Sequence, residues 1–218
     1  MRKTSMDQRQ LAAWAGMIGS ALFVAIFTLE GWLRPGYNPL GTFVSELSLG
    51  PRGWIQIVNF VVFGTLLLVF TRGVAAEFPN GKASRAGPIL LTIIAIGYLV
   101  SGPFVMDPVT TTPDQMSWHG TLHGIFGGIV FSLMPVSCFV FLRRFREDPK
   151  WRSLQWWTFA AGTIIAAAVV LLSVATKLPV ALNAFNEWVG LIQRTAIVTY
   201  LSWLFTFALG LYRRSKQG

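Results

Sequence analysis

Charge is scarce in this chain. Of 218 residues only 12% are Asp, Glu, Lys or Arg, against roughly 25% in ordinary soluble domains. Acid is scarcer than base: nine acidic residues stand against eighteen basic ones, for a formal net charge of +9. There is one cysteine, Cys138, which excludes an intramolecular disulfide and reads as a small packing residue. No polar stretch is long enough to fold separately, so residues 1–218 read as one domain.

What the chain has instead is oil. Hydrophobic residues make up 53% of it, and the mean hydropathy is +0.55. They come in long blocks, as expected where lipid is the solvent. A spanning helix needs about 20 mostly apolar residues. Six segments qualify: Leu11–Leu33, Trp54–Thr71, Pro88–Met106, His119–Leu142, Leu154–Ala175 and Trp188–Tyr212. The first is too long for the core of a cleaved signal peptide and reads as a retained helix. The expected fold is all-α, a polytopic membrane bundle of six transmembrane helices.

The basic excess is not a nucleic-acid signal, because the cations sit in short tracts beside the apolar blocks. Fourteen lie in the N-terminus, the second loop, the fourth loop and the C-terminus. Three (Arg34, Arg52 and Lys177) lie in the alternate loops, and Arg194 falls within a span. The positive-inside rule then predicts both termini in the cytoplasm, N-in/C-in, in the cell membrane. Trp32, Trp54, Trp118 and Trp188 mark the outer interface, and Trp151, Trp156 and Trp157 the inner one. In the first outer loop Phe43, Val44 and Leu47 suggest a short interfacial helix, with Ser45 as N-cap.

Ionisable groups in or beside oil are the informative ones, since a charge at a helix centre costs ~2.5–3.5 kcal/mol on insertion scales. Arg194 lies about two turns into the sixth span. It either snorkels to the interface or turns inward to pair with acid, and the inward pairing is the expectation. Glu30, Glu46, Asp107, Asp114 and Glu187 all fall on the outer side. His119 and His123 are spaced i, i+4, one turn apart on one helical face. They either hydrogen-bond across helices or, with Asp107 or Glu46, form a two-His, one-carboxylate set for zinc or iron. Asn59 and Gln193 serve as interhelical glue or as supporting donors. Gly16, Gly19, Gly97, Gly127 and Gly128 are expected to allow close helix packing.

PGYNP at residues 35–39, SEL at 45–47, Asp107, HGTLH at 119–123 and Gln193-Arg194 fall in this order along nearly the whole chain. In these the chain resembles the bacterial and archaeal membrane family called domain of unknown function 998. That resemblance implies a six-helix membrane domain and no activity. A more distant similarity, through Ser45, Asp107, His119 and His123, is to the alkaline-ceramidase-like membrane hydrolases. Those hold zinc with three histidines in seven helices, so a carboxylate would have to replace the missing histidine here.

Three functions remain open from the residues. The first is an extracytoplasmic polar pocket that binds a small molecule, ion or lipid. The second is a metal-assisted lipid hydrolase at the outer leaflet. It would use His119, His123 and Asp107 on the metal, Glu46 as base and Arg194 on the developing charge. The third is an accessory subunit of a larger membrane complex. The expected partners are the lipid bilayer, a lipid or small-molecule ligand, and membrane proteins, with no nucleic acid.

Overall fold

The computed structural model describes residues 3–177 and 185–216. It is all-helical among those residues. Six α-helices follow one another: α1 (Lys3–Leu33), α2 (Gly53–Glu77), α3 (Ala86–Ser101), α4 (Trp118–Glu147), α5 (Gln155–Lys177) and α6 (Val189–Ser215). Five are long and apolar enough to cross a membrane, and α3, at 16 residues, is a shorter apolar helix. Each expected segment falls on one of the six. Helices α1, α2, α4 and α6 run beyond their apolar blocks into polar flanks, because hydropathy marks the part in oil and not the hydrogen-bonded helix.

Helix α3 ends five residues before the expected Met106. Gly102-Pro103 follows it: proline lacks the amide hydrogen that the next turn of the helix would need.

Consecutive helices pack as antiparallel neighbours, and α1 also packs on α6, so the six close into a ring. One end carries the basic loops (the basic end), and the other carries the 34–52 connection (the loop end). Fully buried aromatics fill the ring at the basic end: Phe78, Phe141, Phe145, Trp151, Trp203 and Phe207. Phe145 stacks on Trp151 with centroids 5.3 Å apart.

The outside of the ring is apolar. Leu11, Trp14, Ile18, Leu22 and Leu29 form an exposed stripe along α1, and Ile89, Ile93 and Ile96 one along α3. Water would penalise such contiguous exposure, and hydrocarbon does not. Exposed hydroxyls on these faces turn back to their own helix: Thr65, Thr163, Ser173, Thr176 and Thr195 each donate to the carbonyl four residues earlier. That is the local way to satisfy a hydroxyl where no water is at hand.

Trp32, Trp54, Trp118, Trp156 and Trp188 are exposed, as expected of interfacial indoles. Trp151 is not: it is 0% exposed and belongs to the aromatic core.

Candidate functional site

The site is built at the loop end by residues 34–52. After α1 the chain turns through Gly36 at φ 73° and forms a short 3₁₀ helix, Val44–Ser48. Its cap position is Phe43 and not the expected Ser45. Val44 and Leu47 are 1% and 0% exposed, so this helix is driven into the bundle mouth by its apolar side chains. Arg34 then closes its end, donating to the carbonyls of Glu46 (3.2 Å), Leu47 (2.8 Å) and Leu49 (3.0 Å).

Helix α6 supplies the floor on which this loop rests. A Cβ at Gly190 would stand 2.5 Å from the Thr42 carbonyl oxygen and 2.6 Å from that of Pro39, so only glycine permits the approach. One turn on, Arg194 donates to those same two carbonyls at 2.7 Å each and to the Tyr37 hydroxyl. Gln193 accepts the Val44 amide at 2.7 Å, and Leu191 donates its amide to the Leu40 carbonyl at 2.8 Å.

Arg194 therefore turns inward, as expected, but it does not pair with acid. Among the described residues its partners are carbonyls and a phenol, and its face lies toward the Tyr37 ring at 5.4 Å. A set of fixed carbonyl oxygens accepts the guanidinium's donors without a carboxylate.

The acids have separate tasks. Glu46 is half-buried and accepts the Phe43 amide at 2.9 Å. Burial pushes its carboxyl above the ordinary range, against the Phe43 hydrogen bond and the attraction of Arg194. Glu30, 5% exposed, pairs with Arg52. Asp107 accepts the Ser117 amide at 2.8 Å, and Ser117 in turn accepts the Gly120 amide at 3.0 Å, which together cap α4. A Cβ on Gly120 would overlap the Asp107 carboxylate. The glycine in HGTLH is thus there to let Asp107 reach the helix start.

The two histidines part company. His119, on the first turn, is exposed and packs on Trp118 and Phe104. His123, one turn deeper, is 9% exposed, with Nδ1 2.8 Å from the Phe104 carbonyl oxygen. A carbonyl only accepts, which places the ring hydrogen on Nδ1 and leaves Nε2 as the basic nitrogen of the neutral ring. Among the described residues no three His, Cys, Asp or Glu side chains gather closely enough to share a metal ion. The expected set of His119, His123 and Asp107 or Glu46 is thus not brought together among the described residues.

What the loop and helices do enclose is a chamber of about 40 Å³, room for roughly three or four waters at ~10–15 Å³ each. Ser45, Tyr98, Ser101, His123 and Gln193 supply its polar groups, and Val44, Phe60 and Val130 its apolar ones. It adjoins a cleft of about 400 Å³ that shares Ser45, His123, Gly127, Phe131 and Gln193 with it. That cleft lies between the loop-end halves of α4 and α5. Gly124, Gly127 and Gly128 form its α4 side, and an added Cβ at any of them would meet nothing within 4 Å.

Gly16, Gly19 and Gly97 do sit under close helix contacts, as expected. Gly127 and Gly128 do not; they hold space open. Nothing in the sequence separates the two kinds. The chamber's hydroxyls were equally hard to find, because Tyr98 and Ser101 sit in an apolar run like any packing residue.

These features define a multi-pass helical membrane protein with a small chamber beneath a folded loop. The model of the family described as protein of unknown function (DUF998) matches residues 17–210, and the chain belongs to that family. No curated protein and no solved structure matches it.

Proposed function

We propose that this protein binds an amphiphile from the membrane leaflet at the loop end. The head enters the chamber at Ser45, His123 and Gln193, and the chain lies along the glycine face of α4. The observation that carries this reading is the continuity of the chamber with a cleft between α4 and α5 into which three glycines of α4 project no side chain. The charge asymmetry of the loops supports six spans with both termini in the cytoplasm, which makes this leaflet the outer one of the cell membrane.

The lining also supports a head of one kind. Residues with hydroxyls, an amide and an imidazole line the chamber, no cation or carboxylate residue does so among the described residues, and the guanidinium of Arg194 is engaged by the loop. An uncharged head of hydroxyl, amide or ester size fits; a phosphate does not. Arg194, Glu46 and Asp107 hold the loop and the α4 start in place around it.

The test fills the cleft. In the Gly127→Leu variant, native mass spectrometry of the detergent-purified chain should lose an adduct that the wild type carries. Equal adducts in both proteins would remove the proposal. A second reading, hydrolysis of the bound amphiphile, has one observation in its favour: Ser45 and His123 line the same chamber. A cleaved product from the wild type but not from Ser45→Ala would establish it.

A further inference from the structure

The basic end holds a second recess that the loop-end site does not involve. It measures about 470 Å³ and is lined by Lys150, Ser153, Leu154, Thr206, Leu209, Gly210, Arg213 and Arg214. Three cations and two hydroxyl residues meet there, with no acid in the lining among the described residues.

Among the described residues the acids near this end pair with other cations, and Glu77 and Asp148 also attract Arg214. Glu77 pairs with Arg9 at 3.0 Å, Asp148 with Arg144 at 3.2 Å, and Glu147 with Lys82. Lys150, Arg213 and Arg214 have no ion-pair partner among the described residues. The Arg214 guanidinium carbon stands over the Trp151 ring, 4.0 Å from its centroid, and its Nε is buried without a hydrogen-bond partner among the described residues. The ring holds the guanidinium and leaves donors unused.

The backbone adds to this field. The recess opens at the amino end of α5, which Ser153 and Leu154 immediately precede. A 23-residue helix presents the positive end of its dipole there. Leu154 and Leu209 give the recess an apolar side, and the exposed Trp156 marks the interface beside it. Cations, an unsatisfied fixed guanidinium, a helix start and an adjoining apolar wall make the chemistry of a phosphate attached to a lipid.

We propose that this recess binds the phosphate of an anionic lipid headgroup, with Arg214 as the fixed contact and Lys150 and Arg213 as the mobile cations. The same phosphate chemistry could be met by a free phosphoanion; the apolar wall favours the lipid.

The experiment uses the full chain in nanodiscs of equal parts phosphatidylglycerol and phosphatidylcholine, released into native mass spectrometry. Lys150→Gln with Arg213→Gln removes two exposed cations without disturbing the core. Each basic residue that touches the bound headgroup is taken at about 1 kcal/mol, or about fivefold. The double variant should therefore lose retained phosphatidylglycerol, relative to phosphatidylcholine, about twenty-fivefold. Arg143→Gln, which removes an exposed charge from the same end outside the recess, should stay within about twofold of wild type. An equal loss in the Arg143 and double variants would overturn the proposal, since the attraction would then be that of the whole basic face. Inorganic phosphate at millimolar concentration should not displace the lipid. If it does, the site belongs to a free phosphoanion and the lipid assignment fails.

Discussion

Replacing Arg194 with leucine tests how the loop-end site is held. The substitution removes two 2.7 Å charge-assisted bonds, to the Pro39 and Thr42 carbonyls, and the contact to the Tyr37 hydroxyl. Each such bond contributes ~1.5–3 kcal/mol. The Pro39 carbonyl bond is exposed, so water recovers part of that loss, and about 3 kcal/mol remains. On the free-energy scale that is roughly a hundredfold. Because Leu191 and Gln193 still grip the loop, the effect is local opening and not global unfolding.

Hydrogen–deuterium exchange in nanodiscs reads this directly. Peptides covering residues 36–48 should exchange roughly a hundredfold faster in Arg194→Leu, with α2 and α3 unchanged. Arg194→Lys keeps the charge but loses the fork that reaches the carbonyls and the phenol together, and should fall between. Unchanged exchange at residues 36–48 in Arg194→Leu would refute the reasoning and leave a snorkelling arginine.

Gly120→Ala should lower thermal stability by about 1–3 kcal/mol through overlap with the Asp107 carboxylate. Adding Asp107→Ala should recover part of that loss, so a strictly additive double mutant would argue against the contact. Glu46 is more easily protonated in the folded loop than in an unfolded chain, because burial raises its carboxyl above 4.5. Its ionised form therefore weakens docking at neutral pH, and protection of residues 36–48 should rise as pH falls through the raised value toward 4.5. Glu46→Gln should flatten that profile; a profile unaltered by the substitution would assign the pH effect to another group. Arg52→Leu leaves Glu30 buried without its ion-pair partner. It should destabilise the chain more than Arg52→Leu combined with Glu30→Gln does, as a detergent melting series would show.

The helices were legible because lipid writes them plainly: long apolar blocks, alternating cation-rich loops and exposed tryptophans. The dip of Val44 and Leu47 was legible for the same reason. The partners of Arg194 were not, because backbone carbonyls leave no mark on a sequence and acids nearby in the chain invite the wrong pairing. His119 and His123 share a face by spacing, yet one stands on the rim and one inside, and periodicity does not report depth. Gly120, Gly127 and Gly190 read alike as letters. The structure gives them three tasks: admitting a carboxylate, leaving a cleft empty, and admitting a loop.

The central claim is that the chamber and its cleft receive an amphiphile. A photoreactive single-chain lipid bearing a diazirine, irradiated with the protein in nanodiscs and mapped by peptide mass spectrometry, tests it most directly. Labels should concentrate on peptides carrying residues 124–132 and 169–176 and should disappear from them in Gly127→Leu. Labels spread evenly over the lipid-facing stripes of all six helices, unaffected by that substitution, would contradict it.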